Sequence, residues 1–322
     1  MMMINKIRRK TMKKQIRRAM ICTIAMMLVG VVSLTGVTYA WFSKSDEADV
    51  NGLTMEVVSR DGGVYVSTMP YTDFGTSITI TPPQDAVYNP ASTAGQLDEN
   101  GKLKFFNGFL DSPTDTTLDI EAISDPGNYF IMQDVYFDNS TGSTPVRISL
   151  AGTEIIPTDA ARNTHLAARV AIVTHGHITQ EQFNVGADYP TTRDNANVQI
   201  YENNSGTHTQ QGINEYKKYV NPNASNSDNF KYFAVNSVGE DINRFNDGNP
   251  TQLTDMSTSP ALKTSADSVI IEVPAGCYLR TTLYVWLEGQ DPDCQNNISG
   301  KPYTAAIKFT KISGGEAAVE GE

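Results

Sequence analysis

Along most of this chain apolar residues recur at every second position, in short runs separated by Gly, Pro, Asn and Asp. Successive side chains of an extended strand point to opposite faces, so the pattern predicts half-buried strands. From Val50 the chain reads as strand, with Leu53, Met55 and Val57 on one face and Thr54, Glu56 and Val58 on the other. Arg60-Asp61-Gly62-Gly63 supplies turn residues for a hairpin into Val64-Tyr65-Val66. Ser77 to Thr81 alternates again and stops at Pro82-Pro83, and Asp85 to Gly101 reads as loop by composition. Further strands are predicted over Lys102 to Leu110 (Leu103 and Phe105 against Lys104 and Phe106), Tyr129 to Asp138, Val146 to Leu150 and Arg169 to Val173. The single helix expected is short, Asp159 to His165, with Thr158 or Asp159 as its cap.

The last third carries the strongest alternation. After a strand over Ser268 to Val273 and a Pro274-Ala275-Gly276 turn, Tyr278 to Glu288 sets Leu279, Thr281, Leu283, Val285 and Leu287 on one side. Arg280, Thr282, Tyr284, Trp286 and Glu288 take the other side. Tyr303 to Ile312 follows, with Ala305, Ile307 and Phe309 inward. Between Asn184 and Pro250 the chain turns Asn-rich, and only Val198 to Tyr201 and Tyr232 to Val235 keep strand character, as in a polar insertion with long loops. Many short strands and almost no helical period predict an all-β chain, a jelly-roll-like antiparallel β-sandwich over residues 60–312.

One stretch departs from this rhythm. Ile21 to Ala40 is uncharged and mostly apolar, and it follows Lys6, Arg8, Arg9, Lys10, Lys13, Lys14, Arg17 and Arg18, with no acid among them. Dense positive charge stays on the cytoplasmic side while the following chain is threaded outward. Thr38-Tyr39-Ala40 puts small residues three and one before a cut at Trp41, which is the layout of a secretory signal peptide over residues 1–40. The alternative is an uncleaved signal anchor, since about 20 apolar residues span a bilayer.

Charge and cysteines narrow the function. Taking the leader's eight cations from the 25 Lys and Arg of the whole chain leaves 17 against 36 acids, a formal charge of −19 over residues 41–322. Such a surface repels nucleic acid and anionic lipid, so the membrane enters only through the leader. Cys22 belongs to the leader, which leaves Cys277 and Cys294. They are expected either to form a disulfide in an oxidising compartment or to stay apart, Cys277 buried and Cys294 exposed.

Thr38-Tyr39-Ala40-Trp41-Phe42-Ser43-Lys44-Ser45-Asp46, followed by Ala48, Val50, Asn51 and Leu53, resembles the start of proteins with a SipW-dependent signal peptide, the TasA/camelysin-like proteins of Gram-positive bacteria. The run from Val285 to Cys294 is a looser likeness to the same group. The resemblance covers about the first 60 residues and implies export through a SipW-like signal peptidase, a jelly-roll fold and a place in an extracellular fibre, biofilm matrix or cell-surface coat built from copies of the chain. On that reading residues 41–59 form a strand, carried by Val50, Leu53, Met55 and Val57, available for donation to a neighbouring copy. Residues 313–322 are an acidic tail, expected to be disordered.

Catalytic chemistry finds little support in the residues. Neither His-Glu-x-x-His nor Gly-x-Ser-x-Gly occurs, so no enzyme is expected, although camelysin was named as a protease. His175-Gly176-His177 offers either a metal pair or two loop histidines facing solvent. Glu288, Asp291 and Asp293 are either a calcium loop or solvated acids, while Asp241, Asn243 and Asp247 match a calcium loop only loosely; no other cofactor is expected. A second class, an adhesin, would bind through the Asn-rich loops, with Tyr201, Tyr216 and Tyr219 as glycan contacts. N-terminal sequencing of exported protein is expected to begin at Trp41; a retained Met1 would identify the uncleaved anchor.

Overall fold

A computed structural model describes residues 48–58, 64–80, 87–109, 117–124, 126–157, 164–202, 209–210, 214, 233–235, 242–243, 253–255, 262–263, 270–289, 291, 293–294 and 303–312. Its strands are β1 (Ala48–Val58), β2 (Tyr65–Ser67), β3 (Ser77–Ile80), β4 (Val87–Tyr88), β5 (Phe106–Phe109), β6 (Thr117–Ala122), β7 (Phe130–Asp138), β8 (Val146–Ser149) and β9 (Glu154–Pro157). They continue as β10 (Ala168–Thr179), β11 (Val198–Glu202), β12 (Phe233–Val235), β13 (Ile242–Asn243), β14 (Leu253–Asp255), β15 (Leu262–Lys263), β16 (Ile271–Val273), β17 (Cys277–Leu287) and β18 (Tyr303–Ile312).

Two larger sheets carry the domain. One runs β16-β8-β18-β1-β3, with β4 also on β1 and β9 also on β18; the other runs β15-β11-β10-β17-β7-β2. Pairing is antiparallel except for β1 with β18 and β11 with β15. The sheets enclose one apolar layer, to which the first gives Val146, Ile148, Ile271, Ala305, Ile307 and Phe309, and the second gives Val135, Phe137, Val170, Ile172, Leu283 and Val285. Phe137 meets Phe309 edge-on at 5.1 Å between ring centres, an arrangement that adds to simple burial. The chain is thus all-β and sandwich-like, as its alternation predicts.

Strand β17 goes further than its pattern. Tyr284 and Trp286, on the side read as polar, are as deeply buried as Leu283 and Val285. They pack with Leu103, Phe105 and Phe130 in a second apolar cluster on the outer face of that sheet. What covers them is the stretch read as loop. Ala91, Ser92, Thr93, Ala94 and Leu97 are buried, and isolated bridges join Ala91 to Glu288, Ser92 to Phe106 and Leu97 to Leu103. Small residues pack closely on a flat sheet face without needing a two-residue period, so composition alone misses them.

Other expectations change in detail. The hairpin into Val64-Tyr65-Val66 does not form with β1: β2 crosses to the other sheet and pairs with β7, Val66 opposite Phe137, because Val64 and Val66 fill the layer between the sheets. The strand expected over Lys102 to Leu110 shortens to β5, and Phe106 is buried with Phe105. Residues 158–163 of the expected helix lie outside the described residues, and Thr164–Leu166 is a 3-10 turn. A helix not foreseen, α1 (Gln180–Asn184), is set by the capping box of Thr179 and Gln182. Most of 184–250, the segment 41–47 and the tail 313–322 lie outside the described residues.

Phe137→Ala is expected to lower unfolding stability by about 3–5 kcal/mol in a urea titration, through cavity formation. Ile156→Ala, at a residue half exposed, is expected to stay within about 0.5 kcal/mol of the parent.

Candidate functional site

The sequence points to β1, and its place in the sheet sets what it can do. β1 is an inner strand. On one edge it runs parallel to β18, in the register Val50 with Tyr303, Leu53 with Ala305, Met55 with Ile307 and Val57 with Phe309. On the other edge it is antiparallel to β3 from Leu53 with Ile80 to Glu56 with Ser77, and to β4 at Ala48 with Tyr88 and Asp49 with Val87. Leu53, Met55 and Val57 therefore stand level with Ala305, Ile307 and Phe309, and these three partners on β18 are wholly buried as expected. The register along β18 shifts between Val50 and Leu53, where Asn51 and Gly52 stand. Thr38, Ala40 and Trp41, the cleavage residues, lie outside the described residues.

Cys277 and Cys294 do not form the disulfide considered above. Both are free, and Cys277 opens β17 beside Thr179 while Cys294 follows its far end, its N–H donating to the Asp291 carbonyl at 2.9 Å. The eleven residues of β17 rise about 33 Å at ~3.3 Å each, far beyond disulfide reach. Cys294 is buried rather than exposed, and burial together with Asp291 and Glu288 pushes its thiol well above the usual range.

Glu288, Asp291 and Asp293 are not solvated acids. All three are buried, with Glu202 of β11 and Arg169 of β10. Arg169 pairs with Asp291 and stands 3.3 Å from Glu202 Oε1, and its Nη1 donates to the carbonyls of Leu166 and Ala168. Trp286 Nε1 donates to Glu288 Oε2 at 3.1 Å, the backbone N–H of Asp293 donates to Asp291 Oδ1 at 2.7 Å, and Thr209 donates to Asp293 through N–H and hydroxyl. These acids knit the end of β17 to β10 and β11. Among the described residues no group of three or more His, Cys, Asp or Glu is disposed to hold a metal ion. Of the looser loop, only Asn243 is a described residue.

His175 and His177 are neither a metal pair nor two solvent-facing loop residues. Both belong to β10, whose register against β17 shifts between Thr174 and His177, so His175 is buried and His177 exposed. A closed polar ring surrounds His175. Thr282 Oγ1 donates to Asp134 Oδ1 at 2.6 Å, which leaves it to accept from His175 Nε2–H at 2.9 Å. His175 Nδ1 accepts the Thr192 N–H at 3.3 Å, so the network assigns a neutral imidazole with its proton on Nε2. Arg280 closes the ring, with Nη2 3.0 Å from Asp134 Oδ2 and Nη1 donating to Thr191. Two glycines allow this packing: a Cβ on Gly176 would lie 2.4 Å from Pro190 Cβ, and one on Gly101, at φ 73°, would lie 2.4 Å from the Thr192 carbonyl.

Tyr201, proposed above as a glycan contact, is buried, and Tyr216 and Tyr219 lie outside the described residues. No helix among the described residues is long and apolar enough to cross a membrane. No protein-family model, curated protein or solved structure matches the chain. The polar ring and the buried Arg169 were not foreseen as units. An Arg within the β-branched run of β10 was the available signal, because a buried cation needs acids beside it.

Burial, with Arg280 nearby, lowers the His175 pKa to about 4, against a partial opposing effect of Asp134. A depressed His pKa means that the unfolded chain binds the proton first. The stability His175 contributes is thus complete above about pH 6.5 and declines as pH falls toward 4. Melting temperatures of the parent and of His175→Gln, compared between pH 7 and 4, are expected to show the steeper acid loss in the parent.

Proposed function

We propose that this chain is a secreted, non-enzymatic structural protein with a jelly-roll-like fold, the subunit of an extracellular fibre, biofilm matrix or surface coat. Its leader is removed by a SipW-like signal peptidase between Ala40 and Trp41, and β1 is the segment exchanged between copies. The observation that carries the reading is the position of β1. The first described strand after the leader is an inner strand, seated between β18 and β3.

Removing such a strand opens a slot about 9.6 Å wide, twice the ~4.8 Å strand spacing. On its β18 flank stand Ala305, Ile307 and Phe309, and Ile80 stands on the β3 flank. A β1 from another copy satisfies the slot with the same register. Each buried apolar residue contributes roughly 1.5–3 kcal/mol before the ordering cost of the strand is subtracted. Within one chain β1 sits in its own slot, and the exchanged arrangement repeats the same contacts between molecules. Free energies of the two forms therefore differ mainly through concentration and the linking residues, as in domain swapping. Each copy gives a strand at one place and receives one at another, a head-to-tail contact that extends into an open filament where the rotation between copies does not close. The acidic surface, −19 over residues 41–322, keeps free copies apart until strands pair.

Electron microscopy of the purified protein is expected to show filaments whose amount rises steeply with concentration. The chain lacking residues 41–59 is expected to form none, and a synthetic peptide of those residues is expected to cap growth of the parent. Filaments formed by the truncated chain would end the strand-donation reading.

A further inference from the structure

We infer that the seam between the β2–β3 loop and α1 is a docking surface for a basic protein segment, one that presents Lys or Arg beside apolar side chains. Six large apolar side chains are exposed among the described residues. Met69, Tyr71 and Val185 belong to this seam, and Tyr65 stands on the same outer sheet face, in a row with Asp138 and Tyr278. Four of the six thus sit on the sheet that does not contain β1, or on what covers it, so the surface stands apart from strand donation. Single exposed apolar side chains are ordinary, whereas a gathered set marks a contact surface. Tyr and Met are also enriched at the centres of protein interfaces.

The seam is held still from both sides. In the loop, Val66 and Gly75 exchange backbone hydrogen bonds at 2.8 and 2.9 Å. Ser67 Oγ donates to the Thr72 carbonyl at 2.6 Å and accepts the Met69 N–H at 2.9 Å. Opposite, α1 closes with the Ala187 N–H on the Gln182 carbonyl at 2.9 Å. Two hydroxyls stitch the sides together: Tyr71 donates to the Ala187 carbonyl at 2.9 Å and Tyr189 to the Pro70 carbonyl at 3.1 Å. Met69 precedes Pro70, and Val185 stands two residues before Ala187, so each borders a stitch. Beneath them a column of rings runs down to the sheet, Tyr71 against Phe183 at 5.5 Å and Phe183 stacked on Tyr278 at 3.9 Å. An exposed ring already fixed in place loses little freedom on binding, which makes Tyr71 the anchor.

Charge selects the occupant. Residues 64–80 and 176–192, which supply the seam, contain Asp73, Glu181 and Asp188 and no Lys or Arg. All three acids are exposed. Arg280, which reaches Thr191 from β17, is paired with Asp134 at 3.0 Å. A second copy would bring the same acids and a formal charge of −19 over residues 41–322, and like charges facing each other across an interface repel. A basic segment meets the opposite charge, and an ammonium or guanidinium over the Tyr71 ring adds a cation–π contact. Met69, flexible and polarizable, adapts to the aliphatic side chains of such a segment.

The probe is a fluorescent peptide of alternating lysine and leucine, titrated with the purified protein and followed by anisotropy, with oligolysine of equal length for comparison. The mixed peptide is expected to bind more tightly than oligolysine and to weaken as salt is added. Tyr71→Ala is expected to weaken it about tenfold. Val185→Lys, at a side chain 80% exposed and so without effect on folding, is expected to weaken it about fivefold by placing like charge in the seam. Ile156→Lys, which adds the same charge at an exposed site on β9, is expected to bind as the parent does. Parent affinity in both seam variants, or oligolysine binding as tightly as the mixed peptide, would overturn the docking surface. Self-association of the parent that Val185→Lys abolishes would overturn it in favour of a second copy, and tighter binding of a glucosamine oligomer than of the peptide in favour of a glycan. Each of these results leaves strand donation untouched.

Discussion

The requirement that β17 be buried on both faces governs the rest of the molecule. A strand covered on one side only needs one partner sheet. β17 carries Leu283 and Val285 on one face and Tyr284 and Trp286 on the other, and both sets are excluded from solvent. The first face accounts for the seven-stranded sheet laid across it. The second calls for a separate covering layer, supplied by the chain from Ala91 to Phe106 with Phe130 of β7. Phe105 stacks on Phe130 at 4.1 Å and meets Trp286 edge-on at 5.3 Å, so the cover is fitted aromatic packing. With β10 on one edge and β7 on the other, β17 is enclosed in every direction.

Such enclosure makes every polar group near β17 answer for its own hydrogen bonds. At one end, Arg169, Glu202, Glu288, Asp291 and Asp293 share a buried network into which Trp286 also donates. Midway, Thr282 and Arg280 enter the ring around His175. At the other end Tyr278 stacks on Phe183 of α1 at 3.9 Å. The outer face of one strand thus changes from aromatic to ionic to aromatic within eleven residues. Each change is matched by the element packed against it, since an unmatched polar group there costs more than the bond it forgoes.

Much of this was legible where burial and alternation coincide. β18 and β1 read directly from Ala305, Ile307 and Phe309 and from the run after Val50, because strands that bury one face repeat every two residues. The same rule misread the second face of β17. Trp286 and Tyr284 fall among Arg280, Thr282 and Glu288, and a mixed set looks like a wet face until its cover is known. The cover was hidden because Ala, Ser and Thr carry no period. His-Gly-His is poor strand sequence and ends the predicted strand at Val173, yet a register shift lets β10 pass through it. At the candidate site, the identity of β1 was readable, but its neighbours were not. Parallel pairing with β18 joins residues about 250 positions apart, beyond any local signal.

That long reach orders events in time. As the chain is made, β1 is the first of the described strands to emerge, and β18, which forms one wall of its seat, is the last of them. A newborn molecule therefore carries an unseated strand through nearly the whole of its synthesis, while every finished molecule around it already owns a complete seat. Its parallel neighbour is in place only once β18 arrives.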